Sequence, residues 1–348
     1  MMKKIRLGVS SCFVLTLLFA AIILISVTPA QAKTYSFTYS TFFPPTHIQA
    51  KLSEAWAKEI AKRTNGEVQI KIFTSGSLTP PPQAYDGVVR GISDFAECVL
   101  AYSPGRFPVL AAADNPLGYP NAYVATGVVN GLYEKFKPKE MDDVHVCYLF
   151  GHGPGIIHTT DKPVHKVEDM KGLKIRATGT SQAIVRALGA APVAMPQGET
   201  YNALRKNIVN GTLVPMEALE GFKQAEVLKY TTLSYCIGYT QGFCVIMNLD
   251  KWKALPKNLQ DVITAVNKEY VDITAKAWED SDVSGRKFAE KLGHEFIKLT
   301  PEEEAQFKAA VKPVMDEYVK KATEQGVDGA AALKTAEELV QELSKKYK

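Results

Sequence analysis

A helical pattern of unusual length is the feature that most constrains the fold of this 348-residue chain. Between Leu255 and Leu292 apolar residues recur every three or four positions, and Pro256 stands at the start of the pattern. These positions are Leu259, Val262, Ile263, Val266, Tyr270, Ile273 and Ala277. At about 1.5 Å per residue, a helix of this length could run the length of the molecule. We therefore predict one long helix over about 256–292.

The chain ahead of that helix has the pattern of an α/β fold. Aromatic and polar residues alternate over 35–40, and apolar and polar residues alternate over 68–72, as in strands. Between them apolar residues lie four apart over 48–63, which predicts a helix that ends before Gly66. A strand, a helix and a strand in this order form a βαβ unit with a parallel pair of strands.

Further strands are predicted over 144–150, 156–160, 233–239 and 243–247. The Gly/Pro-rich turn after the first of them is a candidate crossing between two domains. The last two are expected to return to the first domain. Two amphipathic helices are predicted after Thr300.

Residues 1–32 have the three parts of a secretory signal peptide. Three basic residues lie within the first six positions, an apolar run follows over 13–27, and Ala30-Gln31-Ala32 is a cleavage signal. The apolar run is short for a membrane span. We expect cleavage after Ala32 and export of the mature chain to the periplasm, and an uncleaved anchor is the alternative.

The charge composition argues against nucleic acid as a partner. The leader carries three of the 41 basic residues and no acidic residue, so 38 basic side chains stand against 37 acidic ones in the mature chain. With so small a net charge and no basic-aromatic stripe, the mature chain lacks the electrostatic footprint of a nucleic-acid-binding protein. Its length is sufficient for two domains with proper cores.

The reactive side chains form no recognisable catalytic or metal-binding set. The histidines at positions 145, 152, 158 and 165 straddle two predicted strands and a turn, so we predict no metal site. The sequence contains no GxSxG, HExxH or Walker motif, so we predict neither a cofactor nor an enzymatic activity. Cys236 and Cys244 could form a cross-strand disulfide, although buried free thiols are the simpler alternative.

The segment Asp169–Pro215 contains the strongest site candidate. Leu173 and Ile175 alternate with basic residues, so Arg176 lies at the carboxyl end of a short strand, where open α/β sheets place their ligands. The hydroxyl groups of 178–181 follow as possible N-caps of a helix. A fixed guanidinium and a helix N-terminus aimed at one spot would form an anion site. An ordinary surface arginine after a strand is the alternative.

The same segment resembles the signature region of the solute-binding subunits of tripartite ATP-independent periplasmic (TRAP) transporters. MKGLKIR, GAAPVAMP and ETYNALRKNIVNG match that region in order, and FFPPTHIQ, ISDFAE, YSPGRFP and NLDKWKALPKNLQ extend the resemblance over most of the mature chain. The resemblance implies that Arg176 holds a substrate carboxylate and that the closed receptor meets a sodium-coupled membrane permease. It also implies a two-domain, periplasmic-binding-protein-like (Venus flytrap) α/β fold whose domains are bridged by the long helix.

On this basis we predict the following organisation. The first α/β domain covers 33–152 plus about 240–275, and the second covers 153–239 plus about 276–348. The two domains are expected to close around the ligand by a hinge motion, and the protein is expected to be a monomer.

Two departures from the family pattern narrow the expected ligand. NGTLVP stands where many members have DGQENP, so Val214 replaces an asparagine, and Ile156 or Ile157 stands near the place of a second arginine. Because both replacements put apolar side chains where polar ones are usual, a second carboxylate on the ligand would have unpaired oxygens, at a cost of about 1–3 kcal/mol each. We therefore predict an amphipathic aromatic or branched-chain monocarboxylate, or its 2-oxo form, rather than a C4-dicarboxylate or sialic acid.

The candidate ligand-binding residues are Arg176, Glu97, His47, His158, Phe43, Tyr102, Met195, Val214, Tyr235 and Phe243. For Glu97, a partly buried carboxylate paired with a neighbouring basic residue is an equal alternative. Three rival functions remain at this point: a receptor for an ATP-driven importer, a periplasmic enzyme acting on carboxylates, and a sensor partner of a membrane kinase.

Overall fold

The computed structural model describes residues 33–347, so the predicted signal peptide lies outside the described residues. The first of two sheets consists of β1 (Tyr35–Ser40), β2 (Val68–Phe73), β3 (Phe95–Val99), β4 (Val144–Gly151) and β10 (Gly242–Asn248). Its strand order is β2-β1-β3-β10-β4, with β1 parallel to β3 and β10 antiparallel to both of its neighbours. Every residue of β3 is buried, as expected of a strand that is covered on both faces.

The second sheet consists of β5 (Ile156–Thr159), β6 (Lys174–Arg176), β7 (Ala191–Val193), β8 (Gly211–Val214), β9 (Tyr230–Thr232) and β11 (Glu295–Ile297). Its strand order is β11-β9-β5-β8-β6-β7. β6 is parallel to β7 and β8, whereas β5 is antiparallel to β8 and β9. Each sheet with the helices packed on it is called a lobe below, and the predicted α/β class is confirmed.

The helices are α1 (Ile48–Arg63), α2 (Ala84–Val89), α3 (Ala122–Phe136), α4 (Ser181–Ala187), α5 (Gln197–Arg205), α6 (Ala218–Gly221), α7 (Leu249–Lys253), α8 (Lys257–Lys291), α9 (Pro301–Glu324) and α10 (Gly329–Lys346). Within the described range none of them has the length and apolar composition that a membrane crossing needs. The bounds of α1 match the prediction, and those of α8 lie within one residue of it at each end.

The long helix α8 packs against both lobes. Near its middle the Asn267 Oδ1 accepts a hydrogen bond from Trp56 Nε1 of α1 (2.9 Å), and Tyr270 lies beside Tyr148 of β4. Toward its end Gly285 lies against the Met216 carbonyl, which precedes α6. The prediction of a long helix that bridges the two lobes is therefore confirmed.

The C-terminal helices depart from the predicted domain division, which assigned all of about 276–348 to the second domain. α9 begins in the second core, to which Phe307 and Val311 belong, but ends in the first core with Tyr318 and Ala322. α10 packs on α3 of the first lobe. The apolar faces of these helices pack on the first lobe. The apolar pattern of a helix predicts that one face is covered but not which lobe covers it.

The chain passes between the two sheets over 152–155 and again over 233–241. The Gly155 N–H donates to the Tyr239 carbonyl (2.8 Å), which holds the two crossing segments side by side. The predicted strand over 233–239 is wrong, because this stretch leaves the second sheet and forms the 3-10 turn Tyr235–Ile237. Cys236 lies in that turn, and all four cysteines of the described chain are free thiols.

Candidate ligand site

Arg176 ends β6, where the sequence predicts it, between the neighbouring strands β7 and β8. Only 3% of the residue is exposed. Its Nε and Nη2 donate to the Met195 carbonyl (3.1 and 2.9 Å), and Nη2 also donates to the Tyr102 hydroxyl (3.4 Å). Among residues 33–347, Nη1 has no hydrogen-bond partner and no carboxylate pairs with this guanidinium. A buried charge without a counter-ion is unfavourable, so this guanidinium is suited to an anionic ligand.

Arg176 lines a cavity of about 40 Å³ to which both lobes contribute, called the ligand cavity below. Gln197, Glu217 and Gln241 add polar groups to its wall. In the described chain no lysine and no second arginine lines it. The ligand cavity therefore offers one fixed positive charge.

Aromatic rings form most of the remaining wall of the ligand cavity. They belong to Phe42, Phe43, Tyr102, Phe222, Tyr239, Phe243 and Trp278. Phe42 and Phe43 follow the carboxyl end of β1, and their ring centroids are 4.1 Å apart. The Phe43 ring also meets the Trp278 ring of α8 edge-on, at 6.2 Å. The wall thus presents flat apolar faces to a ligand.

His152 lines the ligand cavity as a neutral imidazole. Burial lowers its pKa to about 4, a hydrogen bond to the Gly153 carbonyl opposes this, and the nearby charge of Arg176 lowers the pKa further. Nδ1 donates to that carbonyl (2.5 Å), which leaves Nε2 as an acceptor. His152 therefore adds no second positive charge near neutral pH.

Glu217 and His47 form a buried hydrogen bond between the lobes. His47 caps α1, and its Nδ1 accepts from the Gln49 N–H (3.1 Å). The ring proton is consequently on Nε2, and the Glu217 Oε1 is the acceptor. Among the described residues Glu217 Oε2 has no partner, so it remains free to accept a further hydrogen bond.

Two further polar atoms of the cavity wall lack partners within the described chain. Gln197 Oε1 and Trp278 Nε1 are both buried without a hydrogen bond. Buried polar atoms are normally paired, so each unpaired one calls for a ligand or a water molecule. With Arg176 Nη1 and Glu217 Oε2, they give the site two free donors and two free acceptors.

The structure brings together about half of the candidate residues. Arg176, Phe43, Tyr102, Val214 and Phe243 line the ligand cavity. Met195 does not line it but contributes the carbonyl that holds Arg176.

The other four candidates are engaged elsewhere. Glu97 is 2% exposed, and its Oε2 accepts from the hydroxyls of Thr41 (2.8 Å) and Ser53 (3.4 Å). Glu97 does not line the ligand cavity, and no basic residue of the described chain forms an ion pair with it. The remaining three candidates also lie off the cavity wall. His47 forms a hydrogen bond with Glu217, and His158 forms hydrogen bonds with Thr231 and the Val214 carbonyl. Tyr235 is half-exposed on the second crossing segment.

Sequence reasoning missed Gln197, Glu217, Phe222 and Trp278. Gln197 and Glu217 come one or two residues after prolines that end motifs of the Arg176 segment, and that position was a usable signal. Trp278 continues the apolar face of the long helix, which predicts burial but not a cavity wall.

The helix-N-terminal part of the predicted anion site does not line the ligand cavity, since in the described chain none of residues 178–181 belongs to its wall. Thr180 precedes α4 without a side-chain capping bond, and the Ser181 hydroxyl instead accepts from the Thr178 N–H (3.0 Å) and donates to the Thr178 carbonyl (2.7 Å). α4 has only seven residues, so its dipole is small. The positive charge of the site comes from Arg176 alone.

Comparison with known proteins places this site in a family. The family model described as "Bacterial extracellular solute-binding protein, family 7" matches residues 39–322, which is most of the chain. The chain belongs to this family. It is a solute-binding subunit of the TRAP class, as the resemblance in sequence implied, and the family consists of transport receptors rather than enzymes. Membership in this class removes the ATP-driven importer from the rival functions.

Relatives of known structure share the fold. A TRAP solute-binding protein from a marine metagenome, described as specific for aromatic acid ligands and solved with metahydroxyphenylacetate, is 30% identical with a TM-score of 0.83. The match covers 88% of this chain and 98% of that protein. A TRAP receptor from Bordetella bronchiseptica, solved with (R)- and (S)-mandelate, is 30% identical with a TM-score of 0.81, over 89% and 99% of the two chains. The two-domain periplasmic-binding-protein fold is therefore confirmed.

A curated relative with a different ligand class is similar over nearly the same length. The C4-dicarboxylate-binding periplasmic protein of Rhodobacter capsulatus is 26% identical over 315 residues, which cover 88% of this chain and 92% of that protein. Family membership by itself thus does not choose between one carboxylate and two.

Proposed function

We propose that this protein is an extracytoplasmic receptor that captures an aromatic monocarboxylate through Arg176 and delivers it to a sodium-coupled TRAP permease. The observation that carries the proposal is a buried guanidinium, without a carboxylate partner in the described chain, at the wall of a ring-lined cavity. We further propose that the protein acts in the periplasm as a monomer, after removal of 1–32, without a metal or cofactor.

Arg176 is suited to a carboxylate because its guanidinium is already held in place. The Met195 carbonyl fixes Nε and Nη2, while Nη1 stays free. Nη1 carries two N–H groups in the fixed plane of the guanidinium, so it can donate to a carboxylate in a set direction, which a flexible lysine ammonium does less specifically. Enclosure of the pair in a site of low dielectric constant strengthens the attraction.

The cavity wall favours an aromatic acid over a dicarboxylate. Opposite the single guanidinium a ligand meets rings, Val214 and Pro215, and no second basic side chain among the described residues. Ile156, near the place of the family's second arginine, is buried in the core of the second lobe. The two structural relatives at 30% identity were solved with aromatic acids, which supports the same ligand class. A branched-chain acid is the alternative occupant.

Glu217 Oε2 and Gln197 Oε1 supply acceptors for a ring hydroxyl on the ligand. An unsubstituted aryl acid would leave both acceptors without a donor, at a cost of about 1–3 kcal/mol for a buried group. We therefore propose that hydroxylated aryl acids bind more tightly than their unsubstituted parents.

Calorimetry on the mature protein tests the assignment. We expect binding of 3-hydroxybenzoate and weaker binding of benzoate, no measurable heat with succinate, and loss of acid binding in Arg176→Ala. Arg176→Lys should weaken binding by roughly tenfold or more, because it keeps the charge and loses the fixed, planar N–H donors.

Arg205→Ala is the matched control. Arg205 lies on the exposed side of α5 and does not line the ligand cavity, so this variant makes the same charge change away from the site. Undiminished acid binding by Arg176→Ala, or binding of succinate in preference to aryl acids, would refute the proposal. Uptake assays with the permease in liposomes, with and without a sodium gradient, test the proposed delivery step.

A further inference from the structure

A second cavity, distinct from the ligand cavity, lies between the lobes. It has a volume of about 380 Å³ and is bounded by the segment 100–111 after β3, by α4 and by α9. Among the described residues, none lines both cavities. Sites for small molecules typically have volumes of about 300–1,000 Å³, so the second cavity is large enough for a ligand of its own.

The walls of the second cavity are mostly apolar. Leu100, Phe107 and Ala111 come from the first lobe, Ala183 comes from α4, and Val314 comes from α9. Burying an apolar ligand against such walls is favourable, whereas a strongly hydrated ligand would gain little binding free energy from them. An occupant is therefore expected to carry a hydrocarbon portion.

Of the described Asp, Glu, Lys and Arg residues in this wall, Asp114 alone is buried. Only 4% of it is exposed. Its Oδ1 accepts from the Gly242 N–H (3.0 Å), whereas Oδ2 has no hydrogen-bond partner among residues 33–347. A carboxylate oxygen that is left unpaired at the wall of a cavity marks a place for a donor or a cation.

The basic residues at the rim do not neutralise Asp114. Glu317 pairs with both Arg186 (3.6 Å) and Lys321 (2.5 Å), so the two rim cations already have a partner. Within the described chain no basic side chain forms an ion pair with Asp114. Burial raises the pKa of Asp114 to about 8, against the lowering effect of the Gly242 N–H. Near neutral pH the Asp114 carboxyl is therefore largely protonated, and a positive charge beside it would favour its ionised form.

We propose that the second cavity binds a small amphipathic amine, with its ammonium group on Asp114 and its hydrocarbon body against the apolar walls. An ammonium group supplies both the charge and the N–H donors that Oδ2 lacks. A metal ion fits less well, because residues 33–347 contain no group of three or more Asp, Glu, His or Cys side chains placed to hold one. The proposal does not depend on which acid Arg176 binds.

Calorimetry with phenethylamine as the probe tests this proposal on the mature protein. We expect the unmodified protein to bind the amine, and Asp114→Asn to bind it roughly tenfold or more weakly. The substitution keeps the side-chain shape and an oxygen for the Gly242 N–H, but the amide cannot ionise beside an ammonium group. Phenethyl alcohol has the same hydrocarbon body without the charge, so it should also bind roughly tenfold or more weakly than the amine.

Two further variants separate this site from the ligand cavity. Arg176→Ala should lose acid binding and keep amine binding. Ala111→Leu fills part of the second cavity and leaves the Asp114 carboxyl in the chain, so it should weaken amine binding and keep acid binding. No amine binding by the unmodified protein, equal binding by Asp114→Asn, or loss of amine binding in Arg176→Ala would overturn the proposal. If Asp114→Asn does not fold, the amine-to-alcohol comparison and Ala111→Leu decide the question.

Discussion

Glu97 and Arg176 are both buried ionisable side chains on strands, one in each lobe, but only Arg176 lines the ligand cavity. The carboxylate of Glu97 accepts from the hydroxyls of Thr41 and Ser53, behind the cavity wall. Arg176 uses part of its donor set on the Met195 carbonyl and keeps Nη1 free at the cavity. Burial alone therefore does not distinguish a structural group from a binding group, whereas position does, because Arg176 lines the ligand cavity and Glu97 does not.

Glu97→Gln should change the pH dependence of stability. Burial raises the pKa of Glu97 to about 8, against the lowering effect of the Thr41 and Ser53 hydroxyls. Between the ordinary carboxyl pKa of 4.5 and about 8, the native state holds a proton that the unfolded state releases. The contribution of Glu97 to the free energy of unfolding is therefore fully present below pH 4.5 and is lost as the pH rises to about 8, at up to about 1.4 kcal/mol per pH unit. In Glu97→Gln this pH-dependent loss of stability is absent.

Denaturant unfolding of both proteins from pH 4.5 to pH 8 measures the effect. Stability should fall less steeply with rising pH in Glu97→Gln than in the unmodified protein. Glu54→Gln makes the same change at an exposed position of α1 and should leave the slope unchanged. Parallel pH profiles for Glu97→Gln and the unmodified protein would contradict the expectation.

At the scale of residues, sequence predicted what one contiguous segment contains. Arg176 was identifiable because the strand, its last residue and the following turn lie within a few positions of one another. Glu217 and Trp278 reach the same cavity from a short helix and from the middle of α8. Their approach depends on packing between distant parts of the chain, which local pattern does not encode.

At the scale of elements, long periodic segments were predicted well and short ones were not. α8 has ten turns of repeating apolar positions after Pro256, so its bounds follow from local sequence. The four residues of α6 and the turn Tyr235–Ile237 form where the chain must change direction between packed surfaces. Such elements are decided by their tertiary surroundings rather than by propensity.

The contact between α8 and the segment before α6 should be sensitive to one added methyl group. A Cβ at Gly285 would lie 2.2 Å from the Met216 carbonyl oxygen, which is backbone and cannot turn aside. We expect Gly285→Ala to lower the free energy of unfolding by about 1–3 kcal/mol through overpacking. Chemical denaturation measures the change.

Gly198→Ala is the matched control for that contact. Gly198 lies in α5, and a Cβ there would have no heavy atom within 4 Å. This variant should be neutral or slightly stabilising, because alanine favours helix over glycine by about 1 kcal/mol. Equal destabilisation by both variants would show that the close approach to Met216 is unimportant.

At the scale of the whole molecule, the lobes are joined by two crossing segments and by the helices α8 and α9. The α/β class and the bridging role of α8 could be predicted, the latter from the family resemblance. The return of α9 and α10 to the first lobe could not, because an amphipathic helix pattern states that one face is covered without stating by what.

The site lies where the lobes touch, so ligand capture is expected to depend on their separation. The ligand cavity of about 40 Å³ is too small to hold an aryl acid in this arrangement of the lobes, so we expect the lobes to part and then close less tightly around the ligand. Small-angle X-ray scattering should show a smaller radius of gyration with saturating 3-hydroxybenzoate than without it. Identical scattering curves, with binding verified by calorimetry, would contradict a closing motion.

Tyr102 provides a further test, because its hydroxyl links the lobes. It accepts from the Gln197 N–H (3.0 Å) and from Arg176 Nη2 (3.4 Å), while its ring lines the cavity. Tyr102→Phe removes both bonds and keeps the ring, so the closed arrangement loses about 0.5–1.5 kcal/mol per bond. We expect weaker binding of 3-hydroxybenzoate, mainly through faster dissociation in stopped-flow experiments. Tyr201→Phe removes an exposed hydroxyl that bonds Glu226 within the second lobe and should bind normally. Equal dissociation rates for the two variants would mean that the Tyr102 hydroxyl does not hold the lobes together.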